Sequence, residues 1–239
     1  MSPSKPKSRR ADTPDDAVEP RSSLWLLLVT LVVLQFGYPI SLLGQGWTAA
    51  YLMVYAGAVA YVVRTAVEDP RRSWPLLVAA GGLVAGVIWF ATQPDDISAT
   101  RGMLVGVGVL QAALLFSLLR VLVNPPARLA IVDLLLVAMS AYLLLGGVFG
   151  ALAGIMELTS PGSFIDQTAG DGSPVWQTLV YGSYVTLATL GFGDVVPVSP
   201  WARSMWSLEA VIGPLFVAVV IARLVGVANP LRRNRDGAQ

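Results

Sequence analysis

Apolar residues along this chain gather into long runs separated by short polar connections. A helix needs about 20 predominantly apolar residues to cross the roughly 30 Å hydrocarbon core of a bilayer. Six stretches approach or exceed that length, at 24–44, 47–67, 75–92, 102–123, 129–154 and 201–228. Pro39 falls within the first and predicts a kink near one end of it. The third is the shortest. Between the fifth and the sixth lies a polar, turn-rich loop at 157–174, followed by VWQTLVYGSYVTLATLGFGDVVPVSP. The part at 175–187 predicts an amphipathic helix of about 20 Å at 1.5 Å per residue. That is too short to cross, so it is expected to enter the membrane and stop, buried by protein.

Composition agrees with the pattern. The 239 residues are 55% hydrophobic and 13% charged, and the mean hydropathy is +0.66. Soluble domains carry about 25% charged residues. The expected class is therefore an all-α integral membrane protein with six transmembrane helices and one re-entrant helix. The chain has no histidine and no cysteine. That excludes His-based triads, imidazole or thiolate metal sites, thiol redox chemistry and disulfides. No cofactor is expected. A net charge of +1 gives no reason to expect a nucleic-acid partner.

Charge placement predicts orientation, because cytoplasmic loops carry the excess of Lys and Arg. Lys5, Lys7, Arg9, Arg10 and Arg21 precede the first run, Arg64, Arg71 and Arg72 follow the second, and Arg120 and Arg128 flank the fourth connection. Arg223, Arg232, Arg233 and Arg235 lie at the far end. The opposite side holds Arg101 and Arg203 among acids that include Asp95, Asp96, Glu157, Asp166, Asp171 and Asp194. Both termini are expected inside, with 155–200 outside. Residues 1–23 are charged and rich in Pro and Ser, which predicts a disordered cytoplasmic tail rather than a cleavable signal. Residues 229–239 predict a short basic cytoplasmic tail, and no soluble ligand-binding domain is expected at either end. A multi-pass protein of a plasma membrane, of the bacterial inner-membrane type, fits these features.

The chemistry concentrates at 186–197, TLATLGFGDVVP. Gly191 and Gly193 flank Phe192 and permit backbone angles with φ > 0 that other residues resist. In such a strand successive carbonyls can point to one side. Four copies around an axis would stack rings of oxygens able to replace the water shell of a cation. Thr189 would add a ring of hydroxyls at the inner end. The C-terminus of the short helix would face the same place with its partial negative charge. Asp194 would sit at the outer mouth and concentrate cations there.

This stretch resembles the pore signature of potassium channels, T-x-x-T-x-G-[YF]-G-D. Thr186, Thr189, Gly191, Phe192, Gly193 and Asp194 fall on its positions. The sixth run, with Trp201 and Arg203 at its start and Gly213 within it, resembles that family's inner helix. The resemblance covers 129–228; the first four runs share only number and length with the family. It implies K+ ligands at the Thr189 hydroxyl and the carbonyls of Thr189, Leu190, Gly191 and Phe192, completed by Gly193, and a gating hinge at Gly213. Three positions depart from the commonest pattern: Ala188 for Thr, Phe192 for Tyr, and Val185 where some members have a carboxylate that pairs with the Asp after the filter. On this pattern Asp194 lacks that partner.

Other residues admit two readings. Glu209, within the sixth run and four residues before Gly213, either faces the pore or the back of the filter and modulates gating, or braces the short helix through its hydroxyls or backbone. Asp133 is expected to pair with Arg128 or a neighbouring loop. Gly213-Pro214 is either the hinge of an inner bundle or a static bend that widens a cavity. Gly146, Gly150 and Gly154 recur every fourth residue and predict close approach of the short helix or the sixth run. In the fourth run only Arg101 and Arg120, at its ends, are charged. They read as interfacial snorkels rather than as a voltage-sensing array.

The functional expectation is a passive, homotetrameric, potassium-selective channel without enzyme activity, whose partners are identical subunits and the lipid bilayer. A weakly selective cation channel is the alternative within the class. A secondary transporter would show paired broken helices. An intramembrane hydrolase would need a Ser-Lys or paired-Asp site that no span supplies.

Overall fold

The structure is a computed structural model and describes residues 19–66, 70–93, 95–126, 129–170 and 172–228. Among the described residues the regular secondary structure is helical apart from one two-stranded ribbon. It runs α1 (Glu19–Phe36), a 3-10 turn (Tyr38–Leu43), α2 (Gln45–Ala66), α3 (Pro70–Thr92), α4 (Ile97–Val123), α5 (Ile131–Thr159), β1 (Phe164–Asp166), α6 (Trp176–Leu187), β2 (Val195–Pro197) and α7 (Pro200–Ala228). Four helices contain segments long and apolar enough to cross a membrane: Trp74–Thr92, Ile97–Val123, Ile131–Thr159 and Pro200–Gly226. Ser22–Phe36 is a shorter apolar helix.

Helix ends follow local chemistry. The first expected span, 24–44, is broken rather than kinked. The Gly37 N–H makes a last bond to the Val33 carbonyl, and Pro39 then disfavours a helical Tyr38 and lacks an N–H of its own. The chain turns through 3-10 geometry, and Thr48 Oγ1 donates back to the Ser41 carbonyl at 2.9 Å. Pro70 opens α3, where its missing N–H costs no bond. Asp96 caps α4 by accepting from the Ser98 N–H at 2.8 Å. Asp133 does the same for the start of α5, accepting from the Ala130 N–H at 2.9 Å. That is the neighbouring-loop partner expected for it; Arg128 lies outside the described residues, as do Lys5 to Arg10, Asp171 and the basic residues after 228.

Two cores organise the packing. One runs through the α1–α4 bundle and onto α5, through Leu31, Val59, Leu83, Met103, Leu110 and Leu144. The second surrounds α6 and joins Ala153, Phe164, Leu179, Val195, Ala202 and Trp206. Phe164 and Trp206 meet with ring centroids 5.0 Å apart. The ribbon belongs to this second core. β1 and β2 pair antiparallel, with Phe164 opposite Pro197 and Asp166 opposite Val195. This ties the loop after α5 to the segment after α6, a connection that the turn-rich reading of 157–174 did not foresee.

Arginines at both ends join α4 to its neighbours. Arg101 Nη2 donates to the Leu158 carbonyl at the end of α5, at 2.7 Å. Arg223 of α7 donates to the Val123 carbonyl at the end of α4, at 2.7 Å, and to Leu122 at 3.3 Å. Both are cations at helix C-termini, where the macrodipole favours them. Arg101 is thus a cap rather than a snorkel. Arg120 lies over the Phe116 ring at 4.3 Å.

Candidate functional site

The site is assembled where α6 ends. The helix expected at 175–187 is present as Trp176–Leu187 and terminates in a Schellman motif. The Leu190 N–H returns to the Val185 carbonyl at 2.9 Å, and the Thr189 N–H returns to Thr186 at 2.9 Å. Such a motif needs one left-handed residue, and Thr189 supplies it with φ 59°. Gly191 and Gly193 follow at φ 57° and 79°. Left-handed angles therefore recur at every second residue from Thr189 to Gly193. A Cβ at either glycine would force the strained region where L-residues are disfavoured.

The strand itself stands away from the rest of the chain. Thr189, Leu190, Gly191, Phe192 and Gly193 are all exposed, with Leu190 at 59% and Phe192 at 65%. Among the described residues none buries any residue of this strand. Its backbone position is set from behind, by α6, and from its outer end, by the ribbon. There Asp194 is half-buried and accepts a hydrogen bond from the Tyr181 hydroxyl at 2.7 Å. Its other oxygen accepts from the Val195 N–H at 3.0 Å, and its carbonyl accepts from the Gln167 N–H at 2.8 Å. The acid therefore has a side-chain partner, contrary to the expectation drawn from Val185. Position 185 faces the core, while Tyr181, one helical turn earlier on α6, reaches the mouth. Thirteen residues separate Tyr181 from Asp194, and nothing in the spacing alone marks the pair.

The loop behind the mouth is braced by acids. The two oxygens of Glu157 accept from the Gly162 N–H at 2.7 Å and the Phe164 N–H at 2.9 Å. Asp166 accepts from the Thr168 hydroxyl at 2.6 Å and the Thr168 N–H at 2.9 Å. The Thr168 hydroxyl bond, ahead of its backbone bonds, holds the Asp166 carboxyl below the usual carboxylate range.

Two helices and the 3-10 turn lock α6 in place. Gly146 and Gly150 of α5 lie directly against it: a Cβ at 146 would sit 2.5 Å from Tyr184 Cε1, and one at 150 would sit 2.9 Å from Val180 Cα. Gly154 completes the stripe, but its nearest neighbour is Leu104 of α4. The Tyr184 hydroxyl donates to the Leu143 carbonyl at 2.6 Å. Tyr142 donates to the Leu187 carbonyl at 3.2 Å. From the bundle, the Gln177 amide donates to Ser41 Oγ at 3.1 Å.

The other helix is α7, which buries a single face: Ala202, Trp206, Glu209 and Gly213, at helical spacing. Glu209 is fully buried and its carboxyl is hydrogen-bonded to Ser183 of α6. Ser183 also reaches the Gly146 carbonyl at 2.8 Å. One hydroxyl thus joins α5, α6 and α7. This is the brace geometry, behind the strand. Gly213 is occupied by packing: a Cβ there would overlap the Leu187 carbonyl oxygen. The helix continues through Pro214, which is exposed, to Ala228. Beyond Gly213 no described α7 residue is fully buried, and Leu215, Val217, Val219, Ile221 and Val225 are exposed.

Among the described residues no cluster of acids could hold a metal ion in the manner of a resident site. The oxygen-rich feature is the backbone of 189–193.

Residues 134–228 match a protein family described as ion channel, a family of channels and not of enzymes. The match spans nearly all of α5, then the ribbon, α6, the exposed strand and α7; α1 to α4 lie outside it. No curated protein matches the chain.

Proposed function

We propose that the chain is one subunit of a homotetrameric, potassium-selective channel that conducts passively across the membrane. The observation that carries this reading is the strand 189–193. It has left-handed angles at Thr189, Gly191 and Gly193, it ends a short buried helix, and it lies within the region that matches ion channels. One strand offers a cation oxygens from one side only, so a ring of subunits is required, and a closed ring of identical subunits is the economical solution. Exposure fits that assembly. Leu190, Phe192 and the apolar lower face of α7 would be covered or would line a shared cavity.

In this reading α6 is a re-entrant pore helix, and its partly negative C-terminal end favours a cation. The K+ ligands are the Thr189 hydroxyl and the carbonyls of Thr189, Leu190, Gly191 and Phe192, with Thr186 behind them and Asp194 at the mouth. The membrane is crossed six times, with both termini inside and α1–α4 forming a surround without a voltage-sensing array. Gly213 and Pro214 mark the level at which α7 leaves its packing on α6, so opening would move the part of α7 below them. Gly213 anchors the upper part and Pro214 leaves the Ala210 carbonyl without its helical partner.

The test is a substitution in the strand. Gly191→Ala places a Cβ at φ 57° in open space, so it should leave the fold intact and distort only the strand backbone. Purified protein in liposomes should lose most of its discrimination between Rb+ and Na+ flux on this change. Unchanged discrimination would remove the strand from the role of filter.

A further inference from the structure

Away from the strand, α1, α2 and α4 close against α5 around a cavity of about 30 Å³. Its lining is unusual for an apolar bundle, because four of the residues around it carry a buried polar side-chain atom. Gln35 of α1, Tyr51 and Tyr55 of α2 and Gln111 of α4 line it. Gln35 is 5% exposed, Tyr55 2% and Gln111 3%. Gln35 Nε2, Tyr51 Oη, Tyr55 Oη and Gln111 Oε1 have no hydrogen-bond partner among the described residues. The Gln111 amide lies beside Tyr55 without reaching hydrogen-bond geometry.

Each buried polar atom left unpaired has lost its hydration without a replacement bond. Four around one small space form a set that requires a shared partner. Gly147 of α5 completes it: a Cβ there would lie 2.5 Å from Gln111 Oε1 and 2.6 Å from Gln35 Nε2. The bare glycine lets the two amides approach the same spot from different helices.

We propose that this cavity is a built hydration site, holding about two water molecules that bridge α1, α2 and α4 in front of α5. Size and chemistry select the occupant. A water needs roughly 10–15 Å³ of such space and two to four polar partners. The phenols donate and accept, one amide group donates and the other accepts, so neutral molecules that do both are satisfied. No acid, Lys or Arg lines the cavity, so a cation here would be a buried charge without a counter-charge. Trp176 and Val180 of α6 also line the cavity, which places the waters directly behind the helix that carries the exposed strand. At this level the bundle is thus seated on the channel-like region through water, beside the direct contacts from Gln177 to Ser41 and from Arg101 to the Leu158 carbonyl.

Radiolytic hydroxyl-radical labelling of the full chain in lipid nanodiscs tests it, because buried ordered water generates radicals in place. Met103 lines the cavity and is fully buried, as Tyr55 nearly is, whereas Phe164 is equally buried but lies outside it. After scaling for intrinsic reactivity, Met103 and Tyr55 should label several-fold faster than Phe164. Gly147→Ala should bring them down to the Phe164 rate by crowding the amides. Gln111→Leu, which adds no atom to α5, should do the same by removing a water ligand. Labelling of Met103 and Tyr55 no faster than Phe164 in the unaltered chain would show a dry cavity and overturn the proposal. Labelling that survives unchanged in Gln111→Leu, or that falls several-fold as Na+ or K+ is raised, would also overturn it, the latter by placing a cation there.

Discussion

At Tyr181 a single hydroxyl fixes the carboxylate that follows the strand. A hydrogen bond to a charged group contributes about 1.5–3 kcal/mol when buried, and less at a half-buried mouth. Tyr181→Phe keeps the ring and removes only that bond. The outer end of the strand should then leave its conducting shape more readily, by roughly 5–30-fold for one to two kcal/mol. Faster decay of macroscopic current during sustained opening is the expected result, and a decay rate equal to the parent's would relieve Tyr181 of this role. Gly213 carries a different argument. Its lack of a Cβ is used by contact with the Leu187 carbonyl, so Gly213→Ala forces α7 away from α6. Overpacking of this kind typically costs about 1–3 kcal/mol. The thermal midpoint of the purified protein should fall even where gating is not measured. Were Gly213 needed only for bending, stability would stay at the parent's value. Neither role was visible from residue identity alone: the sequence shows a glycine and a tyrosine, and only packing shows what each touches.

At the scale of elements, local rules were legible and long-range ones were not. The short helix was readable because apolar residues at helical spacing end at a run of glycines, and the expected and observed limits differ by one residue at its start. The α5 glycine stripe was readable because a four-residue repeat keeps one face bare, and all three of its members meet α6, Gly154 at the Trp176 Cβ as well as Leu104 of α4. The break after Phe36 was misread as a kink, because the apolar run continues through Tyr38–Leu43 while the backbone does not remain α-helical. The ribbon went unseen because FID and VVP are too short to show alternation, and their pairing joins residues 29 apart or more, across the site itself. The arginine caps are likewise distant in sequence, Arg223 reaching a carbonyl 100 residues away. That cap predicts a measurable link between α7 and α4. A cation at an exposed helix C-terminus contributes about 0.3–1 kcal/mol. Arg223→Ala should therefore speed hydrogen exchange of the last-turn amides of α4 by up to about fivefold and leave its first turn unchanged. Equal exchange in both turns of parent and variant would dissolve the link.

Over the whole molecule, the absence of histidine and cysteine now has a physical sense. The proposed selective chemistry needs backbone carbonyls and one hydroxyl, not titrating or thiolate side chains. Charges are placed to hold the frame: Asp96 and Asp133 at helix starts, Arg101 and Arg223 at helix ends, Glu157 and Asp166 in the outer loop. Glu209 sits among α5, α6 and α7 as a brace. The four-helix bundle covers α5, and it meets the channel-like region through polar groups at Ser41, which accepts from Gln177, at Arg101, and at the end of α4 capped by Arg223. The central claim remains the selectivity of the 189–193 strand in a ring of four. The most direct measurement is the reversal potential of the purified, reconstituted protein with K+ on one side of a bilayer and Na+ on the other. The predicted result is a potential far from zero, of the sign set by K+ flowing to the Na+ side, and abolished by Gly191→Ala. A reversal potential near zero, with current demonstrably carried by the inserted protein, would contradict it.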